Sequence, residues 1–193
     1  MSDYLYTGPY NCPNLRVVIV NGKPCVGKST FERLCAGIVG GAYCKQRSSI
    51  DRIKEIAKFA ECYAFKMPKG RKLLSDLKKI FTEYNDLPTI DIFKTLNEWL
   101  GELRYYHVDN NPHVLFVDDR EPAHIIHLKE ELEKANVKVV TLLIRRPVYD
   151  EAATSNSSDE NVFNYKYDYE IDNDGDLESL NEQAIRFINS IFS

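Results

Sequence analysis

One nonapeptide constrains this chain more than anything else in it. Residues 22–30 read GKPCVGKST, which matches G-x-x-x-x-G-K-[ST]. Before it stands the β-branched apolar run RVVIVN (16–21), and after it a segment of helical periodicity from Lys28 to about Val39. A strand that turns through two glycines into a helix makes a nest of amide donors for a polyphosphate. Gly22 and Gly27 let the backbone bend round a phosphate with no Cβ in the way. Lys23, Pro24, Cys25 and Val26 form the arc between them. The positive end of the following helix favours the same anion. In this pattern Lys28 reaches the β- and γ-phosphates of ATP, the Ser29 hydroxyl ligates Mg2+, and Thr30 contacts the α-phosphate.

The rest of the chain alternates strands with helices. Gly40 and Gly41 stop the first helix, and a short second strand is expected at Ala42–Lys45. Ser49 is placed to cap a helix running to about Cys62, on the stripe Ile50, Ile53, Ile56, Ala57, Ala60. FKMPKG breaks the pattern. A second stripe follows (Leu73, Leu74, Leu77, Ile80, Phe81, Tyr84), then a third after Pro88 (Ile92, Phe93, Leu96, Trp99, Leu100, Leu103). HVLFVDD (113–119) and VKVVTLLI (137–144) read as central strands, with a helix from Pro122 to about Ala135 between them. The polar stretch 150–164 reads as a loop, YDYEID (167–172) as a last strand, and Leu177, Leu180, Ala184, Ile185, Ile188 and Ile191 as the inner face of a closing helix. Such alternation implies a mostly parallel sheet covered on both faces, with ligands bound beyond the carboxyl ends of its strands.

Charged residues cluster at those ends. A phosphate loop requires a carboxylate near Ser29 to hold magnesium, and VLFVDDR supplies Asp118 and Asp119. Strand side chains alternate faces, so one of the two points at the site; Asp118 is the choice, with Asp119 serving an acceptor or the next helix. Arginine suits the neutralisation of a transferred phosphoryl group because its fork pairs bidentately with phosphate. Arg47 follows the second strand, Arg71 opens a helix of the inserted region, Arg120 follows the two acids, and Arg145 and Arg146 follow the fourth strand.

Composition excludes several classes. The formal net charge is −4, so the whole chain is not a bulk polyanion binder, although Lys66, Lys69, Arg71, Lys72, Lys78 and Lys79 make a local basic run. That run reads first as a solvated helix face. No apolar stretch approaches the ~20 residues of a membrane span. The start, MSDYLYTGPYNCPN, lacks a basic n-region and an apolar h-region, so a cytoplasmic protein, of a cell or an infected host, is expected. Five cysteines with no Cys-x-x-Cys pair imply reduced thiols. His124 and His127, three apart on a helix without a third ligand in view, read as surface histidines, and Trp99 with Tyr105 and Tyr106 as core packing.

GKPCVGKST, SSIDRIKEIA, KGRKLLSDLK, FVDDREPAHI, LLIRRP and YKYDYEIDNDGDLESL, in order over residues 17–180, together resemble the nucleoside monophosphate kinase group of P-loop proteins. The similarity is greatest to small bacteriophage deoxynucleoside monophosphate kinase-like proteins. The closing YDYEIDNDGDLE is also similar to the end of guanylate kinases. The resemblance implies an α/β three-layer P-loop fold in a single domain: a five-stranded mostly parallel sheet (core 15–48 and 112–193), a helical acceptor-binding insertion at about 49–111, and a lid-like loop at about 147–165. It implies MgATP as donor and a small-molecule nucleotide acceptor, a nucleoside monophosphate. Lys28, Asp118, Arg120 and Arg145 carry over as catalytic residues, Arg47, Arg71, Arg120 and Glu121 as acceptor ligands, Arg146 as a donor ligand, and Ser29 and Asp118 as metal ligands. Residues 147–165 hold no arginine, unlike the lids of ordinary monophosphate kinases, and no thymidylate kinase signature is present. Two alternatives stay open. One is a nucleic-acid acceptor, such as a hydroxymethylated base in phage DNA or a polynucleotide end. The other is a nucleotide-binding switch, disfavoured because no [NT]-K-x-D occurs. A monomer or a homodimer fits either.

Overall fold

The structure, a computed structural model, describes residues 12–105, 111–147 and 161–193. Five strands form one sheet: β1 (Leu15–Asn21), β2 (Cys44–Ser48), β3 (His113–Asp118), β4 (Val139–Arg145) and β5 (Tyr169–Asp172). Their order is β2-β3-β1-β4-β5, and every pairing is parallel. The helices are α1 (Lys28–Val39), α2 (Asp51–Phe59), α3 (Pro68–Asn85), α4 (Leu87–Tyr105), α5 (Pro122–Lys134) and α6 (Leu177–Phe192). The expected three-layer α/β architecture with a helical insertion between β2 and β3 is the observed one.

β1 is buried at all seven positions because both faces of the sheet are covered, so Val17–Val20 run continuously apolar rather than alternating. The period of two still sorts its side chains. Leu15, Val17 and Ile19 join one core with Phe93 and Leu96 of α4 and Ile125 and Leu128 of α5. Val18 and Val20 join the other, with Phe31 and Cys35 of α1 and Ala184, Phe187 and Ile188 of α6. A small third cluster, Ile53, Ala57 and Leu74, glues α2 to α3.

The chain crosses to β2 and β3 on one side of β1 and to β4 and β5 on the other. The carboxyl end of β1 is therefore the point where strand order reverses, and the crevice there is the natural ligand position.

Several boundaries depart from the sequence reading. The second strand begins later than expected: Gly41–Tyr43 form a single 3-10 turn, and β2 starts at Cys44, in register with Val114. Arg47 thus lies inside β2 rather than after it. Ser49 is not the cap of α2. Its N–H donates to Asp118 O (3.1 Å) and its hydroxyl is taken by Lys78, while the Asp51 carboxylate accepts the Ser48 N–H at 2.8 Å. Pro68, expected to break structure, opens α3, since its missing N–H costs nothing in a first helical turn. Ile80 and Tyr84 of α3 and Leu177 and Ile185 of α6 are exposed rather than inward. The inward position missed on α6 is Phe187, stacked edge-on against Phe31.

Candidate functional site

At the end of β1 the backbone leaves the ordinary basins. Gly22 has φ 149°, Cys25 φ 65° and Gly27 φ 102°. A Cβ on Gly22 would lie 2.4 Å from Ile144 O, and one on Gly27 would lie 2.3 Å from Asn173 Nδ2. Both glycines are therefore required by close approach as well as by φ. The loop is held from behind by two asparagines. Asn21 Oδ1 accepts the Gly22 N–H (2.7 Å), and Asn173, from the β5–α6 turn, donates to Val26 O (2.8 Å). Gly27 caps α1 with no side-chain acceptor, which leaves the first-turn amides directed at the loop's concavity. Lys28 Nζ donates to Gly22 O (2.7 Å) and Lys23 O (2.9 Å), so the ammonium already sits over the loop.

In front of the loop opens a cavity of about 1160 Å³. It is lined by Pro24, Cys25, Gly27, Lys28, Ser29 and Thr30 of the loop and the start of α1, by Asp118, Asp119, Arg120 and Glu121 at the end of β3, and by Arg71, Lys72, Ser75 and Lys78 of α3. The loop, the end of β3 and helix α3 thus line one space. Gly22, Lys23 and Val26 make the back of the loop and do not line the cavity.

Asp118 lines the cavity, and its charge acts on the buried Glu32. Burial pushes the Asp118 carboxyl above its ordinary value, Lys28 and Arg120 pull it back, and Asp51 adds to the rise. Glu32, on the second turn of α1, is 2% exposed and is raised to about 8 by burial and by Asp118, against the pull of Lys28. Asp118 Oδ1 and Glu32 Oε1 are buried acceptor atoms with no donor among the described residues. Orphaned carboxylate oxygens beside a phosphate loop fit a divalent cation. Magnesium is held in such sites by one or two carboxylates plus ligand phosphates, in keeping with the absence, among the described residues, of any cluster of three His, Cys, Asp or Glu. Ser29 and Asp118 line the same cavity and would hold it, with Glu32 behind.

Asp119 has a different task. It is fully buried, and its oxygens take Lys78 Nζ (3.3 Å), Glu121 N (3.1 Å) and His124 Nδ1. Burial alone would raise its pKa; the charges of Lys78 and His124, with those hydrogen bonds, hold it well below the usual carboxylate range. His124 is therefore a buried partner of Asp119, not a surface histidine. His127 pairs with Asp86 at 2.7 Å.

The arginines divide. Arg71 and Arg120 line the cavity as expected. Arg47 also lines it, but its guanidinium is engaged by Asp91 (2.7 Å) and Glu55 (3.2 Å). Arg145 ends β4 with its guanidinium 5.5 Å from the Phe163 ring centre, where Lys23 Nζ lies at the same distance. Neither Arg145 nor Arg146 lines the cavity. Residues 148–160 of the expected lid lie outside the described residues, as does Tyr106. Trp99 is in the core, edge-on to His113.

Sequence reasoning missed Glu32, read Lys78 only as part of a solvated basic face although its side chain is 7% exposed, and missed Asn173. A signal existed for the first two. Glu32 follows Phe31 and precedes Cys35 on the buried face of α1, and Lys78 stands four residues after Leu74 on that of α3. A lone charge on an apolar stripe marks a buried ion pair or a site.

No protein-family model matches the chain, and no curated protein sequence matches it significantly. Among solved structures it is similar to the APS kinase CysC of Mycobacterium tuberculosis in complex with AMPPNP and APS, at 13% identity and TM-score 0.46, covering 92% of this chain and 98% of that one. It is also similar to shikimate kinase from Aquifex aeolicus, at 15% identity and TM-score 0.45, covering 91% and 96%. The fold itself is defined by the strand order and register described above.

Proposed function

We propose that this chain is an ATP-dependent phosphotransferase that phosphorylates a (deoxy)nucleoside monophosphate to the diphosphate. One observation carries the reading: the glycine-bent loop and the basic side chains Arg71, Lys72 and Lys78 of α3 line a single cavity together with Asp118 and Arg120. The acceptor's phosphate oxygen attacks the γ-phosphorus, the bond to the β-phosphate oxygen breaks, and ADP leaves. The reaction needs no side-chain nucleophile, only position and charge neutralisation. Lys28 follows the β- and γ-phosphates. Arg120 and Arg71 orient the acceptor's phosphate and spread charge off the transferred group. A magnesium ion held by Ser29 and Asp118 supplies further neutralisation when bound. Arg145, whose guanidinium lies 5.5 Å from the Phe163 ring centre, and Arg146 act from the donor side.

A specific surface favours a nucleic-acid acceptor as the second reading. Between residues 58 and 79 stand six Lys and Arg besides the buried Lys78, against two Asp and Glu. Phe59 (94%), Tyr63 (68%) and Tyr84 (82%) are exposed on the same α2–α3 unit. Cations interleaved with exposed aromatics suit a single strand.

Labelled ATP and magnesium are supplied with each monophosphate in turn, and separately with single-stranded and hydroxymethyluracil-containing DNA. Label in a diphosphate supports the first reading and label retained in DNA the second. Free phosphate alone, or no turnover, defeats both.

A further inference from the structure

Lys78 is a charged residue from the helical insertion whose side chain is only 7% exposed. Its ammonium meets Ser49 Oγ at 3.1 Å, Asp119 Oδ1 at 3.3 Å and Glu121 Oε2 at 3.5 Å. An ammonium has three protons, and two hydrogen bonds and one ion pair account for them. Although Lys78 lines the cavity, it has no donor left for a ligand. It does not read as another phosphate-binding lysine.

The partners indicate its role. Asp119 and Glu121 are the residues on either side of Arg120, and Lys78 grips both. Asp119 is itself fixed from three other directions. Its N–H donates to Val20 O at 3.0 Å, its Oδ1 accepts the Glu121 N–H, and its other oxygen binds His124, whose Nε2 lies 3.3 Å from Thr89 Oγ1 on α4. Ser49, the third partner, bonds the carbonyl of Asp118. The segment 118–121 is thus held at Asp118, Asp119 and Glu121, and Arg120, between the last two, lines the cavity and eases the ionisation of the Asp118 carboxyl.

We infer that Lys78 is a positioning residue for Arg120: a three-point clamp by which helix α3 sets the Arg120 guanidinium against Asp118 and couples the insertion to the phosphate loop. This rests on the phosphotransferase reading for its kinetic consequence, not for its structural one. The clamp joins α3, which carries Arg71 and Lys72, to the end of β3, which carries Asp118 and Arg120. Both halves of the acceptor end therefore take their geometry from one buried cation. An error of about 1 Å in such a group costs about a hundredfold in rate.

The test uses Lys78→Met in the full chain, which keeps the aliphatic stem and removes the ammonium. Glu121→Gln serves as a milder variant, loosening only the clamp's more exposed arm. Three quantities are read: MgATP affinity by calorimetry, kcat and KM for whichever acceptor the wild type phosphorylates, and the Arg120 Nε–Hε resonance, assigned by its loss in Arg120→Lys. Expected are MgATP affinity within about threefold of wild type, an acceptor kcat/KM lowered about a hundredfold in Lys78→Met and less in Glu121→Gln, and an Arg120 resonance shifted or broadened in both. If the Arg120 resonance stays where it is in the variants that fold, or if MgATP affinity falls in step with the acceptor rate, the clamp is only structural and the inference is overturned. If the wild type phosphorylates nothing, the phosphotransferase reading fails by itself, and the resonance still decides whether Lys78 orders Arg120.

Discussion

Glu32 and Asp118 bring two carboxyl groups from different elements into one buried site, where Asp118 adds to the burial that makes Glu32 costly to ionise and Lys28 opposes both. The glutamate is raised from 4.5 to about 8, so between those values the folded protein binds a proton that the unfolded chain releases. Stability therefore falls as pH rises through that window. Glu32→Gln removes the dependence. In metal-free buffer, the gap in unfolding free energy between variant and wild type should widen from pH 5 to pH 8.5, by on the order of 4 kcal/mol. Denaturant titrations at the two pH values measure it, and parallel wild-type and variant curves would refute the burial argument.

Lys28→Ala should leave the fold intact, because the ammonium's bonds run to carbonyls of its own loop. Phosphoryl transfer should drop by about three orders of magnitude, the scale of a lost transition-state charge contact. The release of labelled product measures the effect.

Gly27→Ala combines a left-handed φ with a Cβ 2.3 Å from Asn173 Nδ2. Strain of this kind costs about 2 kcal/mol. In the Asn173→Ala background the steric part should vanish and the dihedral part remain. A thermal-unfolding double-mutant cycle should therefore give a non-zero coupling between the two positions.

Arg47→Met separates structure from catalysis. Asp91, with a side chain 9% exposed, would lose the guanidinium that neutralises it. Breaking such a pair costs about 3 kcal/mol. The expected result is a lower unfolding midpoint in urea with an acceptor KM near wild type. A large rise in KM at unchanged stability would instead restore Arg47 as an acceptor ligand.

Asp118→Asn keeps the shape and removes the charge that a magnesium site requires. Because burial already disfavours the ionised form, the variant should be at least as stable as wild type in metal-free buffer. Calorimetry should show nucleotide affinity that no longer responds to magnesium.

Local chemistry wrote the phosphate loop, the α1 boundaries and the five strands into the chain. Each depends on neighbours in sequence: two glycines at a fixed interval, an apolar run ending in acid, a stripe at helical period. Where a boundary moved, a distant partner had intervened. Ser49 reads as a helix cap, yet its hydroxyl is bound by Lys78, twenty-nine positions away. Arg47 reads as an open phosphate ligand until Asp91, forty-four residues on, is folded against it.

The sequence by itself determined that this chain builds a glycine-bent cradle of amide donors between a buried strand and a helix, because φ preferences and amide direction are properties of the residues on the spot. Only the tertiary structure decided which charges face that cradle and which are spent on one another. Glu32, Lys78, Asp119 and His124 are polar residues whose ionisation and direction follow from burial and from partners brought together by the sheet, and neither can be read from spacing along the chain.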